Sequence, residues 1–432
     1  QAVLAAGAGP ISHAGRMERT PEVERLAENG CAVLCLDCPE GILFGIDYSA
    51  WTVGPRFMGV KLVPPGLHYV YCSASSEDVG VSRTGFFLFM RPRDVSVLRW
   101  DPETEELVRM ENADEEARYA DGVRGYDFDA NLGPYPLQLS DQWAELTRHA
   151  TAALVGKIEP VSRAIRSKRA EYDVRAAGPN QPADAAQGDA PNEDCEDEDT
   201  AMDTDHEPKQ QPQQQQQQHQ QQSDAAGAGD AQLESNQGSG NMFFSTVPRP
   251  RKARGASPAE TTRLHFDRTA QLDEMIAKEY KGNELDILGE LQLAYIAFLL
   301  GQNYDGFEQW RVLLQLLCSA EKAVPARPEL FSELCRTFFA QLSQAPSDLF
   351  GDDLTKENFL GSCAVALLEL CDTEASPPKL RRRCAKVREL VQQKFGLSSE
   401  DLALLGEDAP QIVEADGTDL VDLSGPNLVA MD

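Results

Sequence analysis

The sequence predicts a two-domain α+β protein: a β-rich, antiparallel sandwich-like N-terminal domain followed by an all-α C-terminal domain. Three observations carry this. Between Cys31 and Trp100 short runs rich in β-branched and aromatic residues (CAVLCL, FGIDY, GVKLV, LHYVY, GFFLFM, SVLRW) follow one another, separated by Gly, Pro, Asp and Ser. From Ser257 to about Leu405 apolar residues instead recur every three to four positions, the period of helices. Between the two lies a Pro/Ala/Gly/Asp tract, the acidic NEDCEDEDT and a glutamine run, a composition that cannot bury enough apolar surface to offset its ordering entropy.

Taken in order, residues 1–20 offer little to bury and are expected to be disordered. The first domain spans 21–165. Thr20 caps a short helix with Pro21 in its first turn, and strands follow from Cys31. Pro64-Pro65-Gly66 reads as a hairpin connection between Val60–Val63 and Leu67–Tyr71, because proline fixes the bend and glycine accepts positive φ. LGPYP (Leu132 to Pro136) marks the end of the strands, and Asp141 to Val155, with Trp143, Leu146, Ala150 and Leu154 in helical register, closes the domain. Residues 166–240 are expected to be a flexible linker. A return segment, 241–256, carries the basic cluster Arg249, Arg251, Lys252 and Arg254, read as linker or nuclear import signal because strong RNA binding needs more charges and stacking aromatics.

The helical domain spans 257–405. Ser257-Pro258-Ala259-Glu260 has the form of a capping box, and Ser257 before proline is also a candidate phosphorylation site, where a dianion would meet a helix N-terminus. At its centre is a helical hairpin, Leu285 to Cys318. Leu291, Tyr295 and Phe298 line the first arm and Phe307, Trp310 and Leu314 the second, all expected in the core. Gly301 stands where a left-handed cap would end the first arm. Four more helices are expected, over Thr261–Tyr280, Leu330–Gln344, Thr355–Cys371 and Lys379–Phe395. The acidic tail, 406–432, contains one segment able to become a strand: Gln411, Ile412, Val413 and Glu414.

The net charge of −30 disfavours direct binding of nucleic acid and makes protein the expected partner. No run approaches the roughly 18–20 apolar residues of a membrane helix, and Gln1–Gly15 lacks a basic region followed by an apolar one, so an intracellular protein without a membrane partner is expected. The ten cysteines read as small buried hydrophobes in a reducing compartment. Cys31-x-x-x-Cys35-x-x-Cys38 has the spacing of a radical-enzyme iron–sulfur motif, but it falls in an apolar strand and lacks the alternating β/α context. His68 and Cys72 are near in sequence without completing a tetrahedral zinc set. No phosphate loop, Gly-x-Ser-x-Gly elbow or His-Glu-x-x-His is present, so neither a catalytic residue nor a cofactor is expected. A helical-repeat adaptor is the alternative, since Leu300-Gly301, Tyr304 and Phe307 loosely echo a tetratricopeptide unit.

FGIDYSAWTVGPRFMGVKLVPPGLHYVYCS, GFFLFM followed by SVLRW, LGPYP, and LGELQLAYIAFLLGQNYDGFEQWRVLLQLLC, in this order, resemble the Aar-two family, the A-one cistron splicing factors. The resemblance covers most of 25–155 and 241–415. It implies a β-rich domain joined to a VHS-like helical domain, without enzymatic activity. It further implies assistance to U-five small nuclear ribonucleoprotein assembly, through binding of the Prp-eight scaffold at its RNase H-like and Jab/MPN domains and delay of the Brr-two helicase, in cytoplasm and nucleus. Phosphorylation control is also a family property, with Ser257 the candidate acceptor here. The tail strand Gln411–Glu414 would add to a sheet edge of the scaffold.

Overall fold

The computed structural model describes residues 20–74, 82–167, 242–249, 267–345 and 359–395. The N-terminal part opens with helix α1 (Pro21–Asn29), capped by the Thr20 hydroxyl accepting from the Val23 amide at 3.3 Å. Ten strands follow among the described residues: β1 (Cys31–Leu36), β2 (Leu43–Ile46), β3 (Ser49–Thr52), β4 (Gly59–Val63), β5 (Gly66–Ser73), β6 (Arg83–Met90), β7 (Val95–Asp101), β8 (Glu106–Arg109), β9 (Gly133–Pro134) and β10 (Ile165–Arg166). They form two five-stranded sheets, ordered β8-β7-β1-β4-β9 and β10-β6-β5-β2-β3.

The sandwich is therefore as expected, but its first sheet is mixed. β1 pairs parallel with β7, and β4 pairs parallel with β9. The reason lies at Pro64-Pro65: β4 and β5 belong to different sheets, so this corner carries the chain across the sandwich instead of closing a hairpin. LGPYP likewise does not merely end the strands. Gly133-Pro134 is itself β9, paired with Val60 and Lys61.

Alternation along β5 explains the layering. Val70 and Cys72 point between the sheets, where they meet Val33, Phe44, Ile46, Phe86 and Leu98, while Leu67, Tyr69 and Tyr71 point away and join the core of the helices. The outer face of the first sheet, with Leu34, Leu36 and Val97, is covered by helix α2 (Ala113–Arg124) through Tyr119 and Val123. β1 is buried at all six positions because both its faces are covered, which is why CAVLCL reads as a continuous apolar run.

Inside the sandwich three sequence blocks meet at one polar knot. Asp47, in the left-handed conformation (φ 53°) at the two-residue β2–β3 turn, accepts from the Tyr69 amide (2.9 Å), the Tyr135 hydroxyl (2.7 Å) and His68 Nδ1 (2.7 Å). His68 Nε2 donates to the Pro64 carbonyl at 2.7 Å. All three side chains are almost fully buried. Burial alone would lower the His68 pKa, but the Asp47 charge and hydrogen bond and the Pro64 carbonyl outweigh it and raise the value.

The expected helix Asp141–Val155 is two helices, α3 (Ser140–Leu146) and α4 (Ala152–Ile158). Thr151 breaks the run, since its hydroxyl accepts from the Leu154 amide and caps a new helix. The helical part comprises α5 (Thr269–Glu279), α6 (Asp286–Leu299), α7 (Tyr304–Cys318), the single turn α8 (Ala323–Ala326), α9 (Pro328–Gln344), α10 (Phe359–Cys371) and α11 (Pro378–Phe395). None of the helices among the described residues is long and apolar enough to cross a membrane.

The hairpin α6–α7 stands as expected. Leu291, Tyr295, Trp310 and Leu314 are fully buried, Phe307 is buried, and Phe298 packs at the margin against Phe307 and Trp310. Gly301 has a different role from the one its position predicts. Gln302 takes the left-handed conformation (φ 53°), while a Cβ on Gly301 would lie 2.5 Å from the Tyr69 hydroxyl and 2.6 Å from the Ala297 carbonyl. Glycine is needed there for room, because the tip of the hairpin is pressed onto the second sheet. Arg83 donates to the Leu300 carbonyl (2.7 Å) while its guanidinium lies 4.8 Å from the Tyr71 ring centre, and Asn303 donates to the Arg166 carbonyl (2.9 Å).

Two buried polar residues of α6 fasten other segments. Glu290 accepts from the Ser245 amide and hydroxyl (both 2.7 Å), the Tyr280 hydroxyl (3.0 Å) and Gln309 (2.8 Å), which holds the return segment 242–249 against the helices. Gln292 accepts from the His149 amide at 2.8 Å, joining α6 to the α3–α4 connection.

Three outcomes follow. His68 is raised in the folded state, so its stabilisation is fully present below the ordinary histidine value of about 6.5 and is lost as pH rises through the elevated one; urea midpoints should fall between about pH 6 and pH 9 in the wild type and lose this component in His68→Gln. Gly301→Ala should cost about 1–3 kcal/mol by overpacking, part of it relieved by Tyr69→Phe, measured as a double-mutant cycle of unfolding free energies. Glu290→Ala strips the acceptor from several buried donors and should cost about 2–5 kcal/mol, with protease cleavage in 242–249 as the local readout.

Candidate interaction surface

Helix α11 starts at Pro377-Pro378, with proline at its first position. Leu380, Cys384, Val387 and Val391 recur at spacings of three and four and are fully buried, so one stripe faces the bundle. The other positions hold Lys379, Arg381, Arg382, Arg383, Lys386, Arg388 and Lys394 against the single acid Glu389, in a chain whose net charge is −30. This helix was legible as a helix, yet its charge contrast went unread, although LRRR announces it.

The cations divide by role. Arg383 donates to Ser332 (2.9 Å) and Glu333 (2.7 Å), Arg388 to Asp372 (2.7 Å), Lys379 to Glu329 (2.7 Å), and Lys394 to the Leu342 and Ser343 carbonyls at the end of α9 (2.9 and 2.6 Å). These tie α11 to its neighbours. Arg381, Arg382 and Lys386 face solvent. Lys386 and Arg383 also border an open groove of about 560 Å³ between α3, α9 and α11, together with Glu145, Arg336, Phe339 and Cys335.

Two acids hold the cations that line the groove, Glu145 in its wall and Glu333 behind Arg383. Glu145 receives a two-pronged contact from Arg336, and Glu333 receives Arg383 on one oxygen while His149 Nε2 lies 3.3 Å from the other. Burial opposes ionisation of Glu333, but the Arg383 hydrogen bond and charge outweigh it and hold its carboxyl below the usual range. Burial holds His149 down. The arrangement offers a positive face beside a half-apolar groove, suited to docking an anionic protein segment, with electrostatics setting orientation more than affinity.

Of the residues singled out from the sequence, the hairpin core set is in place. Gln411, Ile412, Val413, Glu414 and Ser257 lie outside the described residues. Cys31, Cys35 and Cys38 do not converge on one point; the Cys31 thiol donates to the Arg91 carbonyl at 2.9 Å, and burial pushes it up to about 11. His68 is spent in the Asp47 knot. The described cysteines that do converge are Cys335, Cys371 and Cys384, a grouping hidden from sequence because it joins three helices.

Two family models match the chain: the AAR2 N-terminal domain over residues 29–160 and the AAR2 C-terminal repeat region over residues 244–400. Among curated relatives, the mouse (Mus musculus) Protein AAR2 homolog is 33% identical over 391 residues, covering 88% of this chain and 93% of the relative. The human (Homo sapiens) protein of that name is 32% identical over 411 residues, 92% of this chain and 97% of its own length. The Caenorhabditis elegans one is 27% identical over 378 residues, 86% and 96%. The boundaries of the two matches fall on the sandwich with its closing helices and on the helical part, and the chain belongs to the AAR2 family.

Proposed function

We propose that this protein is a non-enzymatic pre-mRNA splicing factor that assists assembly of the U-five small nuclear ribonucleoprotein. The observation that carries the reading is the family match through both parts at once, over residues 29–160 and 244–400, with 88% of the chain aligned to the mouse relative. In this reading it binds a Prp-eight-type scaffold at its RNase H-like and Jab/MPN domains, in cytoplasm and nucleus, and keeps the Brr-two helicase and RNA away until maturation.

The physical properties agree with that task. A strongly acidic chain is steered toward a basic RNA-binding surface and repels RNA from it, while the cations of α11 give the molecule a charge asymmetry that fixes its orientation on docking. The tail segment Gln411 to Glu414 is assigned to strand addition on an exposed sheet edge of the scaffold, where main-chain hydrogen bonds supply affinity and alternate side chains specificity. Phosphorylation at Ser257 would place a dianion between the return segment and the helices and is the proposed release signal.

The test is a pull-down with purified RNase H-like and Jab/MPN domains at low and physiological salt, with the helicase as competitor. Binding that excludes the helicase is expected, and binding at neither salt overturns the reading. Deleting 407–432 should weaken scaffold binding at least tenfold, about 1.4 kcal/mol, while leaving the melting of the remaining chain unchanged; unaltered affinity would remove the tail from the mechanism.

A further inference from the structure

Three helices each send one cysteine to a common point. Cys335 comes from the middle of α9, Cys371 is the last residue of α10, and Cys384 lies in the buried stripe of α11. Their sulfurs all lie within 4.8 Å of one another, with Cys335 and Cys384 at 3.5 Å, and the residues are at most 1% exposed. All three are free thiols. A thiol used only as a small apolar group gains by packing against carbon. Here the sulfurs face one another.

The geometry is that of a three-sulfur ligand set. Three sulfurs about 2.3 Å from one ion in a trigonal plane lie about 4.0 Å apart, and the three sulfurs here lie within 4.8 Å of one another with one pair at 3.5 Å. We propose that Cys335, Cys371 and Cys384 form a site for a soft, three-coordinate metal ion, monovalent copper being the ion that this ligand set fits. Structural zinc requires a fourth ligand. No further His, Cys, Asp or Glu joins the group among the described residues, and the adjacent Asp372 is engaged by Arg388 at 2.7 Å.

Binding transfers the thiol protons to solvent, leaves the oxidation state of copper and sulfur unchanged, and cross-links α9, α10 and α11. The neighbouring pair Cys318 and Cys363, hydrogen-bonded to each other and close to Cys371, contributes no third sulfur and serves as the internal control.

The experiment uses the full chain, reduced with a phosphine under anaerobic conditions and offered monovalent copper as its coloured bicinchoninate complex. The wild type and Cys318→Ser should each withdraw one equivalent of copper, with Cys371→Ser and Cys384→Ser at least a hundredfold weaker. X-ray absorption on the wild type carrying one equivalent should find three sulfurs at about 2.3 Å, a readout that does not depend on the variants folding. Copper left on the chelator, a two-sulfur site, or equal withdrawal by the Cys371→Ser/Cys384→Ser double variant would each overturn the proposal.

Discussion

The structure depends on one buried helix. In α6, twelve of fourteen residues are buried, polar Glu290 and Gln292 among them at 0% exposure. A helix buried on every side cannot belong to the surface of one domain. It serves as the common wall of two. Its apolar side chains join a single core that runs from Leu67, Tyr69, Tyr71 and Phe87 of the second sheet to Leu380 and Val391 of α11, and its polar ones satisfy backbone groups of segments distant in sequence. Gly289 shows how tight this wall is, since a Cβ there would come 2.4 Å from the His149 carbonyl. Removing such a wall would expose both neighbours, which is why polar residues are tolerated inside it only with their partners complete.

The second constraint sits at the other side of the second sheet. Asp47, His68 and Tyr135 come from the blocks FGIDY, LHYVY and LGPYP, and the Pro64 carbonyl adds the PPG corner. A buried ion pair of this kind is weak evidence for net stability against an apolar replacement. It does specify the fold, because only one arrangement of four chain segments gives every donor an acceptor. The hairpin tip supplies the matching specificity on the outer face, where Gly301, Arg83 and Asn303 fix how the helices approach the sheet.

Much of this was legible in the sequence. Helix and strand periods gave the class of each part, and the three- and four-residue spacing of Leu291, Tyr295 and Phe298, then Phe307, Trp310 and Leu314, located the central hairpin. What escaped were features that depend on pairing between distant segments. Nothing in Val60–Val63 and Leu67–Tyr71 distinguishes a hairpin from a crossing between sheets, since both need a proline-glycine corner. Gly301 looked like a cap because caps are a local need, whereas its actual constraint is Tyr69, more than two hundred residues away. The cysteine group joins three helices and has no spacing motif. The basic face of α11 was local and could have been read from LRRR, but the overall acidity of the chain masked it.

The two family segments share one core and form one cooperative body, and a scaffold-binding protein with a fixed surface loses less entropy on docking than two tethered modules. Differential scanning calorimetry of the full chain tests it directly. A single transition with equal calorimetric and van't Hoff enthalpies, coincident with the loss of far-ultraviolet dichroism, is the predicted result. Two resolved transitions, one for the sandwich and one for the helices, would contradict a shared core.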